Sequence, residues 1–142
     1  MGLKQIIKHG LEHVAAQFGP HRWPSRTPRI WILMYHRVLP ANSLEMQDVE
    51  PGMVVTPETL DMHLSTLKKW ATPVDLAEWC ERKNKGLPLP QRAVAITFDD
   101  GWLDNYQYAW PIIQKHQFPA TIFLVTDWIA ISNSFWPERL AR

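Results

Sequence analysis

Cysteine and long apolar runs are both scarce in this sequence of 142 residues. Its single cysteine, Cys80, cannot form a disulfide within the chain, so internal oxidative cross-links are excluded. No run approaches the roughly 20 consecutive apolar residues that a membrane-spanning helix needs. The composition is otherwise that of a folded globular chain, since 46% of the residues are hydrophobic and the length suffices for one domain with its own core.

An excess of charge of one sign is also lacking. Fifteen basic and 14 acidic side chains leave a formal net charge of +1, so electrostatics give no reason to expect a nucleic-acid partner or an acidic membrane partner. Aromatic side chains are instead abundant, with eight tryptophans. Because tryptophan carries a large apolar area and a hydrogen-bond donor, we expect most of them in the core and some on a binding face.

The N-terminal segment, MGLKQIIKHGLEHVAAQFG, lacks the apolar stretch and the small-residue cleavage site of a secretory signal. Its apolar residues recur at helical spacing and predict an amphipathic helix, joined to the rest by a proline-rich linker that ends at residue 28. We expect this helix to pack on the domain or on a partner. Peripheral membrane contact is the minority alternative, because the polar face has few cations.

The remainder of the chain alternates between strand and helix patterns. Short apolar runs predict strands at residues 30–35, 93–98 and 119–125, with a brief further strand within 72–75. Thr56 and Pro57 predict the start of a helix that reaches Trp70, and Asp75 predicts the cap of a shorter one. A third helix is predicted over residues 102–116, with a kink or interruption at Pro111. Such alternation indicates an α/β fold with parallel pairing and right-handed crossovers.

Two adjacent carboxylates, Asp99 and Asp100, end the second strand and are followed by Gly101. Ligands of parallel α/β folds bind at the carboxyl ends of strands, and a glycine turn there lets both acids approach one cavity. A divalent cation on one acid would relieve their repulsion and leave the other free for proton transfer. Helix capping would explain one acid but not two, and Asp104 is the better candidate for a capping or supporting role.

These residues carry a family resemblance. Residues 97–101, TFDDG, resemble the signature of the polysaccharide deacetylases, whose shared unit is the NodB homology domain. Residues 34–38, MYHRV, are similar to the YHxV segment of the family's first strand, and residues 119–124, PATIFL, to its PATFF strand. Residues 135–140, FWPERL, resemble a segment further along some members. The resemblance therefore covers about residues 30–142, in the family's order.

The resemblance implies a distorted (β/α) barrel that hydrolyses N-acetyl groups on amino-sugar polymers or oligomers with the help of a metal ion. By position, Asp99 resembles the general base and Asp100 a ligand of the divalent metal, for which zinc is the first choice. His36, Tyr35, Gly101 and Trp102 are expected to contact the substrate or support the acids. Relatives often act outside the cytoplasm, whereas the absence of a signal pattern makes the cytoplasm the default expectation here.

The chain departs from the family in its histidines. Family members carry an H-x-x-x-H motif after the PATFF strand, and residues 123–142 contain no histidine; the six are His9, His13, His21, His36, His63 and His116. His9 and His13 have metal-clamping spacing but lie outside the matching region, while His63 and His116 are predicted to be solvated or capping. About three strands cannot close a barrel. We therefore expect residues 29–142 to be the N-terminal part of such a domain, and this chain alone to be inactive.

Two other functions fit parts of the pattern. A non-catalytic carbohydrate-binding or interaction module would keep the scaffold without the histidine ligands and stack sugars on Trp102, Trp128 or Trp136. A receiver-type signalling domain also places two acids after a strand, although the order of the MYHRV and TFDDG segments argues against it. The motifs do not separate peptidoglycan, chitin oligomers, poly-N-acetylglucosamine and capsule precursors as substrates.

Overall fold

The computed structural model describes residue 19 and residues 27–129 of the chain. In that part of the chain six strands and three α-helices follow one another in an α/β order. The strands are β1 (Arg29–Tyr35), β2 (Arg37–Val38), β3 (Val54–Val55), β4 (Thr72–Pro73), β5 (Arg92–Asp100) and β6 (Ala120–Leu124). The helices are α1 (Pro57–Leu67), α2 (Leu76–Asn84) and α3 (Trp110–His116).

Strand β5 is the centre of a parallel four-stranded sheet. Along one of its edges β1 pairs in a continuous register, from Arg29 beside Arg92 to Tyr35 beside Phe98. On the other edge of β5, β4 pairs with Ala93 and Val94, and β6 pairs with residues 96–100. A separate parallel pair joins β2 to β3, with Val38 beside Val55. The predicted parallel α/β arrangement is therefore confirmed for the described residues.

The two faces of β5 have different surroundings. Val94, Ile96 and Phe98 point into the main hydrophobic cluster, which they form with side chains of α1 and α3. Ala93, Ala95 and Thr97 alternate with them and are also buried, but they are small. On the same face, their β1 neighbours Ile32 and Met34 are 53% and 60% exposed. One face of the sheet is thus covered by helices, and the other is an open apolar surface.

The helix boundaries follow from local chemistry. The Thr56 side chain accepts a hydrogen bond from the Thr59 amide at 3.2 Å, and Asp75 Oδ1 accepts one from the Glu78 amide at 2.8 Å, so both predicted N-caps are confirmed. The first helix ends at Leu67 rather than at Trp70. Residues Asn105–Ala109 form a π-helical turn that leads directly into α3, and Pro111 is the second residue of α3, so the predicted helix is interrupted just before this proline.

Some expectations from the sequence were wrong or fall outside the described residues. The sequence patterns did not predict the pairing of β2 with β3, because two-residue strands leave no periodicity. Four strands pair in the main sheet, since the brief one at residues 72–73 joins the three clear ones. The N-terminal segment 1–18 and the segment 135–140 lie outside the described residues. No helix among those described is long and apolar enough to cross a membrane.

Helix α1 allows a matched test of this packing. Leu64 is fully buried, whereas Met62, two positions away on the same helix, is 55% exposed. We expect Leu64→Ala to lower the free energy of unfolding by about 2–5 kcal/mol, because it removes apolar contacts and leaves a cavity. Met62→Ala should change it by about 0.5 kcal/mol or less. Urea denaturation of both variants measures the difference, and equal losses would contradict the packing of α1 on the sheet.

Candidate active site

The turn after β5 has an unusual backbone. Asp100 and Gly101 both have a φ of 71°, in the left-handed region that side chains other than glycine rarely adopt. Aspartate tolerates this region better than most residues, since its short polar side chain makes local hydrogen bonds. A Cβ atom added at Gly101 would collide with Cδ2 of Leu124 on β6. The turn therefore needs glycine for its conformation and for its close approach to β6.

Asp99 and Asp100 both line one cavity of about 530 Å³. Its other walls come from the open face and the far end of the sheet: Ile32, Met34, Leu76, Thr97, Phe123, Leu124 and Val125. The expectation that the turn brings both carboxylates to one cavity is therefore confirmed. Largely apolar walls with two acids at the carboxyl end of the central strand are typical of a small-molecule or polymer-end binding site.

His36 faces the first of the two acids. Its Nε2 atom lies 3.8 Å from Oδ2 of Asp99, and the two side chains are 18% and 28% exposed. The register explains this proximity, because Tyr35 pairs with Phe98 and the next residue of each strand is His36 or Asp99. The His36 carbonyl oxygen accepts a hydrogen bond of 2.8 Å from Asn105 Nδ2. The backbone of His36 is thus held by a hydrogen bond, and its imidazole lies beside Asp99.

A buried ion pair lies behind the carboxylates. Arg37 Nε donates to Asp104 Oδ2 at 2.6 Å, and the Val38 amide donates to Asp104 Oδ1 at 2.8 Å. The Arg37 guanidinium carbon also lies over the Trp102 ring, 4.0 Å from its centroid. Trp102 Nε1 in turn donates to Asp100 Oδ2 at 3.3 Å. Asp104 therefore supports the strand end at residues 37–38, and its side chain does not cap a helix.

Asn105 starts the π-helical turn and is 4% exposed. Its Nδ2 group donates to Asp104 Oδ1 at 3.1 Å as well as to the His36 carbonyl. Among the described residues, its Oδ1 atom has no hydrogen-bond partner. An unsatisfied buried oxygen costs about 1–3 kcal/mol, and π-helical turns are frequent at functional sites. The local structure thus bears a cost in order to hold the His36 backbone.

Other predicted site residues lie elsewhere. Tyr35 belongs to the core, where its ring stacks on Phe98 and its hydroxyl bonds to His63 Nδ1 at 3.0 Å; burial raises the pKa of Tyr35 to about 12. The structure does not bring this side chain to the carboxylates, because it points to the helix-covered face. His116 bonds to Asp61 Oδ1 at 2.8 Å, so neither His63 nor His116 has the solvated or capping role expected of it.

A complete metal site cannot be assembled from the described residues. Nowhere in residue 19 and residues 27–129 do three His, Cys, Asp or Glu side chains come together as metal ligands would. Asp100 offers one carboxylate, whereas a zinc site commonly needs three protein ligands. The donor set described here therefore does not by itself fit zinc. His9, His13, His21, Trp136 and the Trp128 side chain lie outside what the structure describes.

Comparison with known proteins relates this chain to the polysaccharide deacetylases. The family model for polysaccharide deacetylases matches residues 86–142. YxkH of Bacillus subtilis, named for the same family, is 32% identical over 121 residues, which are 82% of this chain and 38% of YxkH. The poly-beta-1,6-N-acetyl-D-glucosamine N-deacetylase of Escherichia coli is 42% identical over 57 residues, 40% of this chain and 8% of that enzyme. A solved de-N-acetylase from Aggregatibacter actinomycetemcomitans matches with a TM-score of 0.63 and 26% identity, covering 74% of this chain and 41% of that one.

A parallel sheet with paired acids at its carboxyl end, matched by a solved de-N-acetylase, defines the class as an α/β fold of the deacetylase type. Residues 86–142 match the polysaccharide deacetylase family, and the similarity to YxkH and to the solved de-N-acetylase extends over 82% and 74% of the chain. The chain spans well under half the length of these relatives, 38% for YxkH and 8% for the Escherichia coli enzyme. The resemblance of the TFDDG segment is therefore confirmed at the level of the family.

Sequence reasoning missed two members of the site. Arg37 and Asn105 carry most of the hydrogen bonds behind the carboxylates, yet neither was singled out. A signal was present for Arg37, because a charged residue directly after an apolar strand needs a partner if it is buried. Asn105 left no such signal, since an asparagine in the first turns of a helix is ordinary.

Glycine substitutions test the turn. Gly101 and Gly86 have φ values of 71° and 64°, but a Cβ atom meets Leu124 only at Gly101 and nothing within 4 Å at Gly86. We expect Gly86→Val to cost roughly 1–2 kcal/mol of stability, for the left-handed backbone alone. Gly101→Val should cost more, because Leu124 must also move. Thermal unfolding of the two variants measures this, and equal losses would show that the approach to β6 does not constrain the turn.

Proposed function

We propose that this chain contributes the catalytic carboxylates of an enzyme that hydrolyses N-acetyl groups on an amino-sugar polymer. The observation that carries the proposal is that Asp99 and Asp100 line one largely apolar cavity while His36 Nε2 lies 3.8 Å from Asp99 Oδ2. The names of the relatives add support, since one acts on poly-beta-1,6-N-acetyl-D-glucosamine. In this proposal the four-stranded sheet is part of a distorted (β/α) barrel, and the cavity lies at the barrel's carboxyl end.

Amide hydrolysis requires two proton transfers. A base must take a proton from the attacking water, and an acid must give one to the departing amine, which is otherwise a poor leaving group. Asp99 is suited to the first task because its carboxylate faces the cavity and is only partly exposed. His36 is suited to the second, because its imidazole is within 3.8 Å of the same carboxylate. In this scheme Asp99 takes the proton of water and the imidazolium of His36 gives its own proton to the amine.

Asp100 takes a different role in the proposal. We assign it as the carboxylate ligand of a divalent metal, for which zinc is the first choice, with the other ligands supplied from outside the described residues. Such an ion, when bound, supplies Lewis acidity to the carbonyl oxygen and to water. Because one carboxylate binds zinc weakly, we propose that the 142-residue chain by itself holds little metal and releases little acetate.

The substrate class follows from the cavity and the chemistry together. We assign an N-acetylglucosamine polymer or oligomer, because its acetamido group combines an apolar methyl with the amide that is cleaved. Apolar side chains such as Met34 and Phe123 would contact the methyl group, while Asp99 and Asp100 line the same cavity beside the amide that is cleaved.

The division of labour between the two acids can be tested in the full-length gene product. Asparagine, like aspartate, tolerates the left-handed backbone found at position 100. Asp100→Asn therefore tests the carboxylate rather than the conformation of the turn. We expect Asp100→Asn to lose bound zinc, and Asp99→Asn to retain zinc while acetate release from N-acetylglucosamine oligomers falls about a hundredfold or more. Equal loss of zinc in both variants, measured by elemental analysis, would contradict the assignment.

The proposed role of His36 can be tested beside a matched histidine. We expect His36→Gln to lower kcat for acetate release about a hundredfold while the zinc content is unchanged, because the amine loses its proton donor. His63 is the control, since its imidazole bonds to Tyr35 in the core. His63→Gln should lower the melting temperature and leave kcat within about twofold. If His36→Gln instead removes zinc, His36 is a ligand and the proton-donor role is wrong.

A further inference from the structure

The ion pair between Arg37 and Asp104 is nearly buried, with the two side chains 11% and 5% exposed. We propose that Arg37 and Asp104 are positioning residues, which fix Trp102 against Asp100 and the His36 segment against Asp99. This inference rests on the proposed function, because it names what holds that reaction's groups in place. It concerns residues that lie behind the carboxylates and that are not assigned to touch the substrate.

Arg37 links the ion pair to the turn. Its Nε donates to Asp104, while the guanidinium carbon lies 4.0 Å from the centroid of the Trp102 ring. Arginine, unlike lysine, has a planar cation that can pair at its edge and stack on its face at the same time. With the ring held in this way, the Trp102 indole N–H is directed at Asp100 Oδ2. The orientation of the Asp100 carboxylate therefore depends on a residue from the end of the neighbouring strand.

Asp104 links the same pair to the His36 segment. One of its carboxylate oxygens accepts from Arg37, and the other accepts from the Val38 amide and from Asn105 Nδ2. The Nδ2 group of Asn105 also donates to the His36 carbonyl, so Asn105 connects Asp104 to the His36 backbone. The side chain of one buried acid thus ties the chain on both sides of His36 to the first helical residues after the turn.

Stability alone is a weak reason for such a cluster. Burying a charge pair has a desolvation cost, and apolar residues of similar volume often stabilise a fold as well or better. The cost here is accompanied by the unsatisfied Asn105 Oδ1 next to it. What the cluster provides is directional contact with the two segments that carry the reacting side chains. A buried ion pair that costs free energy and contacts both segments is what we expect of residues that position the reacting side chains.

The first test needs no enzymatic activity. In the ¹⁵N-labelled chain, the Trp102 indole N–H resonance is assigned by its loss in Trp102→Phe, and its exchange with solvent is measured. We expect Arg37→Lys to speed this exchange about tenfold, because lysine keeps the charge but cannot hold the ring. Arg82→Lys is the matched control, since Arg82 lies on α2 and bonds to the Pro88 carbonyl. Unchanged exchange in Arg37→Lys would overturn the proposal.

The second test is kinetic and uses the full-length gene product. We expect Arg37→Lys and Trp102→Phe each to lower kcat about tenfold or more with KM nearly unchanged, because the reacting groups are misplaced. Trp102→Phe retains a ring beneath Arg37 and so does not depend on how Arg37→Lys folds. If Arg37→Lys speeds the exchange but leaves kcat unaltered, the Arg37–Asp104 pair is structural and its proposed positioning role is wrong. If the unmodified protein releases no acetate, the proposed deacetylation fails, while the exchange measurement still decides whether Arg37 positions Trp102.

Discussion

The parallel register between β1 and β5 is the constraint on which the site depends. Since Tyr35 lies beside Phe98, the residues that follow, His36 and Asp99, leave the sheet as neighbours. A shift of one residue would turn the alternating side chains of β1 to the opposite faces of the sheet. Leu33 and Tyr35 would then leave the hydrophobic cluster, which they now help to form, and His36 would move away from Asp99. Core packing and site geometry thus fix the same register.

The sheet also separates the chemistry from the core. Phe98 is fully buried against the helices, and Asp99, the next residue, faces the cavity on the other side. Left-handed φ values at Asp100 and Gly101 then turn the chain so that the second acid reaches the cavity as well. A hydrophobic strand can therefore end in two carboxylates without burying either of them among apolar side chains, which would be costly.

Much of this arrangement was predictable from local patterns. Apolar runs identified β1, β5 and β6, capping residues identified the starts of α1 and α2, and the Asp99-Asp100-Gly101 sequence identified the turn. What the sequence could not provide is the set of long-range partners. Tyr35 was expected near the acids because it precedes His36, yet strand alternation sends its side chain to Phe98 and His63. Arg37 and Asp104 lie 67 positions apart, and only the folded chain pairs them.

Several local features that cost free energy of folding lie close to the paired carboxylates, and their position bears on function. A non-glycine residue in the left-handed region, a buried ion pair and an unsatisfied buried amide oxygen all occur at Asp100, Asp104 and Asn105. Each costs free energy that a sequence selected for stability alone would avoid. The adjoining strand, by contrast, has small or apolar side chains buried at every position from Ala93 to Phe98. Other exceptions among the described residues, such as the left-handed Gln117 after α3 and the unpartnered Trp79 Nε1, are isolated, whereas those at Asp100, Asp104 and Asn105 cluster around the paired carboxylates.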